Sequence, residues 1–336
     1  MRRDDLVRAR AQLHACLTAA RCLHTYHELT GNATALTAAR RLYDLYTRHG
    51  RTANHATWNW FGRADSWTEP CAMVDSLILA LGLWRTTRDR RYLDDAEAIE
   101  LNGLGHAQKP HGGFGLDSIT GPGLPWLRNV HPDAAWCCTM RGAVGLAEVW
   151  ERRHSVATGG APDILYVDLY RDGDARLELG GGEMAVRQRT RYPYEGATTL
   201  DVLHSTVRRQ VEIRFHLPSW TDAGRARVTG GPPGRQPGRL LLRPAAGDRY
   251  GVDFPVALRA EPADSDGGIG VRMLHGPLLL AATDDDAHGS PDDDAPDPGR
   301  ARHRHRGAVL RPVREVFHTT PGRAARYHGR VVFDDP

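Results

Sequence analysis

Lysine is almost missing from this chain. Of 44 basic residues only Lys109 is a lysine, a bias that suits a GC-rich genome and says little about function. Other scarcities exclude more. No run of about 18 apolar residues occurs, so no membrane-spanning helix is expected. The amino terminus, MRRDDLVRAR, lacks the apolar centre of a secretion signal. A net charge of +3 from scattered basic residues leaves no footprint for nucleic acid. The five cysteines, without a secretion signal, fit a reducing, cytoplasmic compartment rather than a disulfide scaffold.

What is present is unevenly placed. Three of the five cysteines fall in two short clusters, Glu69-Pro70-Cys71 and Cys137-Cys138. Adjacent cysteines do not readily bridge each other, so the pair has another use. Zn²⁺ takes four ligands, and Glu69, Cys71, Cys137 and Cys138 supply three sulfurs and an oxygen. The plainer alternative is buried free thiols, since Cys is among the most buried residue types.

Up to about residue 153 the pattern is helical. Residues 4–29 carry Leu6, Leu13, Leu17 and Ala20 on one stripe, and Gly31 stops the helix. Asn32 caps a second helix running to His49. Thr68 caps a third, with Pro70 in its first turn and an apolar face of Met73, Leu77, Leu81 and Trp84. A fourth covers 90–106 and a fifth about 134–153. The long connections at 51–68 and 107–133 are of a length that usually carries function. Thr30, Leu36 and Ala39 in LTGNATALTAARRLYD line up with Thr87, Leu93 and Ala96 in RTTRDRRYLDDAEAIE at an offset of 57 residues, one helix pair of an α/α barrel or toroid. The same offset sets His14 opposite Cys71. On spacing alone His14 reads as a core histidine.

From Asp163 the signal becomes short alternating runs, among them ILYVDLY, QVEIRFHLP and YGVDFPVAL, punctuated by turn residues as in a β-sandwich. Residues 284–306, an acidic run followed by a basic one, read as a disordered loop. Metal binding by His303 and His305 within it is disfavoured. The expected domains are 1–153, 160–262 and a C-terminal β region at 263–336.

The segments WTEPCAMVDSLILAL, RRYLDDAEAIELNGL and AWCCTMRGAVGLAEVW resemble glycoside hydrolase family 127, the zinc-thiolate β-L-arabinofuranosidases. There the corresponding segments read Glu-Thr-Cys-Ala, an Asn-Gly helix, and Cys-Cys-Pro-Pro-Asn. ILYVDLY, TRYPYEG, FHLPSW and MLHGPLLLA follow that family's strand order, so the resemblance covers roughly 5–283. It implies an α+β multidomain chain, a partial (α/α)6 barrel or toroid followed by antiparallel β-sandwich domains. It also implies zinc on Glu69, Cys71, Cys137 and Cys138, with Cys137 as the nucleophile of a retaining reaction. His14 resembles the helix-borne histidine that faces the sugar.

Two departures from the family shape the expectations. A full barrel needs twelve helices and this chain supplies about five, so a missing N-terminal segment or a partner chain, as in a dimer, would complete it. The stretch RTANHATWNWFGRADSWT, where the family's acid/base Glu is sought, contains no Glu. Asp65 is its only carboxylate and His55 its only other titrating candidate. Trp58, Trp60, Phe61 and Trp67 suggest either a stacking platform for a sugar or plain packing. The sequence therefore predicts a retaining hydrolase of a β-L-arabinofuranoside or similar glycan end. Its catalytic groups would be Cys137 and Asp65, and its substrate contacts His14, Trp60 and His55. The alternatives are a truncated relative that binds zinc and sugar without turnover, and another α/α-barrel carbohydrate enzyme such as a lyase or epimerase.

Overall fold

The computed structural model describes residues 2–118, 126–131, 134–232, 234, 236–263, 270–283, 298–305, 308–316, 328–331 and 333. It divides into two units, residues 1–147 with 258–336, and residues 148–257.

The first unit begins with helices. The expected helix at 4–29 is two, α1 (Arg3–Arg8) and α2 (Leu13–Thr30), broken where Arg10 takes a φ of 49°. Gly31, at φ 70°, terminates α2. Asn32 accepts a hydrogen bond from Ala35 N at 2.9 Å and starts α3 (Ala33–His49). Then comes α4 (Pro70–Thr87), capped by Glu69 rather than Thr68, with every residue from Pro70 to Trp84 buried. A helix apolar all round belongs at the centre of a domain, and α4 packs against α2, α3 and α5 (Arg90–Ala98). The 57-residue repeat is kept closely: α2 and α4 match end to end, and α3 and α5 begin at equivalent positions.

After α5 the chain continues as a π-helical turn, Ile99–Leu104, and a short α6 (Gly105–Ala107). Strands β1 (Leu116–Ser118) and β2 (Trp126–His131) pair antiparallel. Helix α7 (Cys137–Glu151) follows. Two glycines let α7 approach its neighbours: a Cβ at Gly142 would lie 2.3 Å from the Phe114 ring, and one at Gly145 2.7 Å from Val74 of α4. Trp136, just before α7, and Met140 and Val144 on it are exposed at four-residue spacing. Among the described residues the helices do not close into a barrel; the chain has helices together with several antiparallel sheets.

The second unit is built from β3 (His154–Ala157), β4 (Asp163–Val167), β5 (Gly173–Leu179), β6 (Gly182–Thr190), β7 (Thr198–Ser205), β8 (Val211–Phe215), β9 (Arg227–Thr229), β10 (Arg239–Leu242) and β11 (Arg249–Asp253). They form one sheet ordered β10-β8-β4-β3 and another ordered β5-β6-β7-β11-β9. The pairing is antiparallel except for β4 with β8, which run parallel. Buried positions alternate along β4 and β8, and one apolar core that includes Leu165, Val167, Met184, Ile213 and Phe254 fills the unit.

The chain then returns to the first unit with β12 (Leu258–Pro262), β13 (Val271–His275), β14 (Leu278–Thr283), β15 (His303–His305), β16 (Ala308–Pro312) and β17 (His328–Arg330). These join β1 and β2 in one sheet. The C-terminal region is therefore grouped with the helices, unlike the separate region expected at 263–336. Buried Asn102 ties the two together, donating to Pro277 O at 2.9 Å and accepting from Leu279 N at 2.8 Å. Within the stretch expected to be a disordered loop, residues 284–297 and 306 lie outside the described residues, while His303–His305 form a strand paired with β16.

Candidate metal centre

Two helix starts converge here. Glu69 is the N-cap of α4 and Cys71 lies in its first turn, while Cys137 and Cys138 open α7. Their carboxylate and thiol atoms all lie within 4.8 Å of one another. Cys138 Sγ is 3.9 Å from both Cys71 Sγ and Cys137 Sγ. A tetrahedral zinc with Zn–S bonds of about 2.3 Å sets its sulfurs about 3.8 Å apart, so the spacing and the donor set fit such an ion. Cys71 and Cys138 are buried, Glu69 is half-buried and Cys137 is exposed.

The electrostatics point the same way. The neighbouring Cys138 thiol, together with burial, pushes Cys71 well above the usual thiol range. Burial raises Cys137 and Glu69 as well, with Cys71 adding to the effect at Cys137. Glu69, Cys71 and Cys137 thus crowd together with their charged forms disfavoured. A bound dication inverts that balance, and two helix N-termini favour thiolate over thiol.

Glu69 is held from the side away from the cysteines' helix. Gln12 Nε2 lies 3.4 Å from Glu69 Oε2. Asn59, with its amide nitrogen turned toward the carboxylate, donates to Oε2 at 3.0 Å. Its oxygen then accepts from the indole N–H of Trp60 at 3.2 Å and of Trp67 at 3.3 Å. Thr68 N donates to Asp117 O at 2.6 Å, fixing the residue before Glu69. The Asp117 carboxylate is itself buried between His106 Nδ1 at 2.9 Å and Lys109 Nζ at 3.1 Å, so the chain's single lysine is structural.

His14 projects from α2 and is partly exposed, with Nδ1 3.0 Å from Asp75 Oδ2. The Asp75 carboxylate raises its pKa. Trp60 is partly buried and committed through its N–H to Asn59. Trp58 and Phe61 are core residues, and Trp67 is exposed. Asp65 stands elsewhere in character: its side chain is 67% exposed and both oxygens take hydrogen bonds from Arg63, at 2.7 and 2.9 Å. That pairing lowers its pKa, the wrong direction for a general acid. His55 is buried with Nε2 3.4 Å from Arg272 Nη1, and burial holds it well below the usual imidazole range. Its partners are Arg272 and nearby arginines rather than the thiols.

Sequence reasoning brought the four donors together but missed Gln12, Asn59 and Asp75. The repeat contained a signal for two of these. Gln12 meets Glu69, and Thr18 Oγ1 donates to Asp75 Oδ2 at 2.7 Å, each pair separated by 57 residues.

Comparison with known proteins bears out the resemblance drawn from the motifs. Residues 164–239 match the middle domain of GH127 β-L-arabinofuranosidases. The fold is similar to a solved GH127 β-arabinofuranosidase, at a TM-score of 0.73 and 16% identity over 97% of this chain and 60% of that one. It is also similar to a GH127 β-L-arabinofuranosidase from Geobacillus stearothermophilus T6, at 0.70 and 14% identity over 97% and 61%. A third structure, described as a glycoside hydrolase, matches at 0.70 and 14% identity over 93% and 64%. This chain thus spans less than two thirds of each of those structures. No curated protein matches it in sequence. Among the described residues no helix is long and apolar enough to cross a membrane.

Proposed function

We propose that the chain acts as a retaining glycoside hydrolase on a β-L-arabinofuranoside or similar glycan end, with Cys137 as nucleophile. The observation that carries this reading is the convergence of Glu69, Cys71, Cys137 and Cys138 at ligand distance. Zinc bound there would keep the thiols ionised near neutral pH. Adjacent residues at a helix start project about 100° apart. Cys138 is accordingly buried while Cys137 is exposed, which leaves Cys137 free to attack an anomeric carbon. Displacement of the leaving group and release of the sugar by water give net retention. His14, partly exposed with its pKa raised, suits a contact to the sugar hydroxyls beside the cluster.

A second reading has its own support. The only carboxylate in the 51–68 connection, Asp65, is ionised and solvent-exposed, which fits a relative that binds zinc and sugar without turnover. A cysteine-directed pentofuranosyl electrophile, read by peptide mass spectrometry, separates the readings. The hydrolase reading expects label on Cys137 with Cys138 unmodified, together with release of sugar from an activated arabinofuranoside. Label confined to Cys16 or Cys22, with no sugar released, refutes it.

A further inference from the structure

Asp75 is buried, with 1% of its side chain exposed, one turn after Cys71 on α4. A buried carboxylate needs partners, and this one draws them from both neighbouring helices. From α2 come Thr18 Oγ1, Arg21 Nη1 and His14 Nδ1; from α7 comes Arg141 Nη2. Burial alone would raise its pKa, but contacts with His14, Thr18 and Arg21 outweigh that and bring it to about 2. Arg141 stands one turn after Cys137, where the family motif quoted above has Asn. Arg21 and Arg141 are each more than a quarter exposed.

We propose that Asp75 and Arg141 form a positioning clamp that pre-assembles the metal centre. The inference rests on the metal reading above. Glu69 and Cys71 lie on α4 and Cys137 and Cys138 on α7, and the Asp75–Arg141 pair is the ionic tie between those helices one turn beyond the ligands. Three thiolates and a carboxylate around one dication leave two negative charges in excess. Two guanidiniums against one carboxylate leave a positive charge beside them, so the clamp also offsets the charge the cluster acquires on binding.

The test is zinc affinity of the full chain by chelator competition, with cobalt(II) absorption as a report on coordination geometry. Asp75→Asn and Arg141→Asn should each weaken zinc about 10- to 100-fold, as outer-shell changes at metal centres do, and should alter the cobalt bands. Arg141→Lys should recover much of the loss. Asp95→Asn is the control. Asp95 accepts from Tyr43 Oη and Arg51 in the same unit, neither of them a cluster ligand or a partner of Asp75, so Asp95→Asn should lower stability and leave zinc affinity within about twofold. The clamp is overturned if Asp75→Asn and Arg141→Asn bind zinc like wild type, or if Asp95→Asn weakens it equally. A wild-type chain that binds neither metal refutes the metal reading itself.

Discussion

The helical region and the two-sheet unit, residues 148–257, differ in what gathers in their interiors. The two-sheet unit has one apolar cluster as its core, with polar groups buried around it: Ser155 Oγ donates to Asp168 at 2.5 Å, and Asp163 and Arg153 are buried as well. The helical region buries a carboxylate in each of two hydrogen-bonded networks, Asp75 with Arg21 and Arg141, and Asp117 with His106 and Lys109, and among the described residues it holds the thiol cluster. Buried charge is costly unless paired, and both networks adjoin the cluster: Asp75 lies one turn after Cys71, and Asp117 O accepts from Thr68 N, next to Glu69. The segment that matches the known middle domain in sequence, 164–239, lies wholly in the unit without that cluster. The sequence match therefore falls on the unit that holds none of the four donors.

The largest expected effect breaks the helical side of this contrast. A Cys137→Ser/Cys138→Ser protein should carry no zinc by elemental analysis, against close to one per chain in wild type. Its helical region should lose several kcal/mol of stability by thermal denaturation, because metal-binding free energy becomes folding free energy. Zinc retained at full stoichiometry would remove the cluster from the argument. The complementary change is Ile213→Ala, which empties a fully buried position on β8. It should cost about 2–5 kcal/mol and leave zinc content unchanged, since no cluster ligand belongs to that unit.

A smaller effect comes from pH. Burial, with help from the charge of Arg153, brings His154 down from 6.5 to about 4, against the opposing pull of its 2.9 Å bond to Gln188. A histidine held neutral contributes stability that is fully present above its unfolded pKa and is lost as pH falls from 6.5 toward 4, here about 3 kcal/mol. His154→Gln should flatten the acid limb of the unfolding transition of residues 148–257 in urea titrations between those pH values. An unchanged limb would assign the acid sensitivity to the helical region, where His55 and His106 are also held neutral by burial.

The residues explain why some of this was legible in the sequence and some was not. Cys137-Cys138 and Glu69-Pro70-Cys71 were readable because their ligand types are rare and sit at helix starts. The repeat was readable because α2 and α4 share one length and one apolar period. Asp75 was invisible, since one aspartate in an apolar helix gives no sign of the arginines that reach it from 54 residues upstream and 66 downstream. The break at Arg10 and the parallel pairing of β4 with β8 escaped for a related reason. Periodicity reports which face is buried, not which strand or loop lies against it.

The smallest expected effect decides the role of Asp65. It was singled out as the only carboxylate in a connection where an acid was sought, and composition cannot distinguish an acid from a surface ion pair. Its geometry can. An exposed aspartate bound through both oxygens to Arg63 is ionised throughout the neutral range, and solvent-exposed ion pairs of this kind add little to stability. Asp65→Asn should therefore leave the thermal unfolding midpoint nearly unchanged. If the chain hydrolyses arabinofuranosides, the variant should lose no more activity on substrates with poor leaving groups than on those with good ones. A general acid would show the opposite pattern, because protonation matters most where the leaving group is worst. A selective loss with poor leaving groups would return Asp65 to the catalytic set and require the 63–65 turn to rearrange when substrate binds.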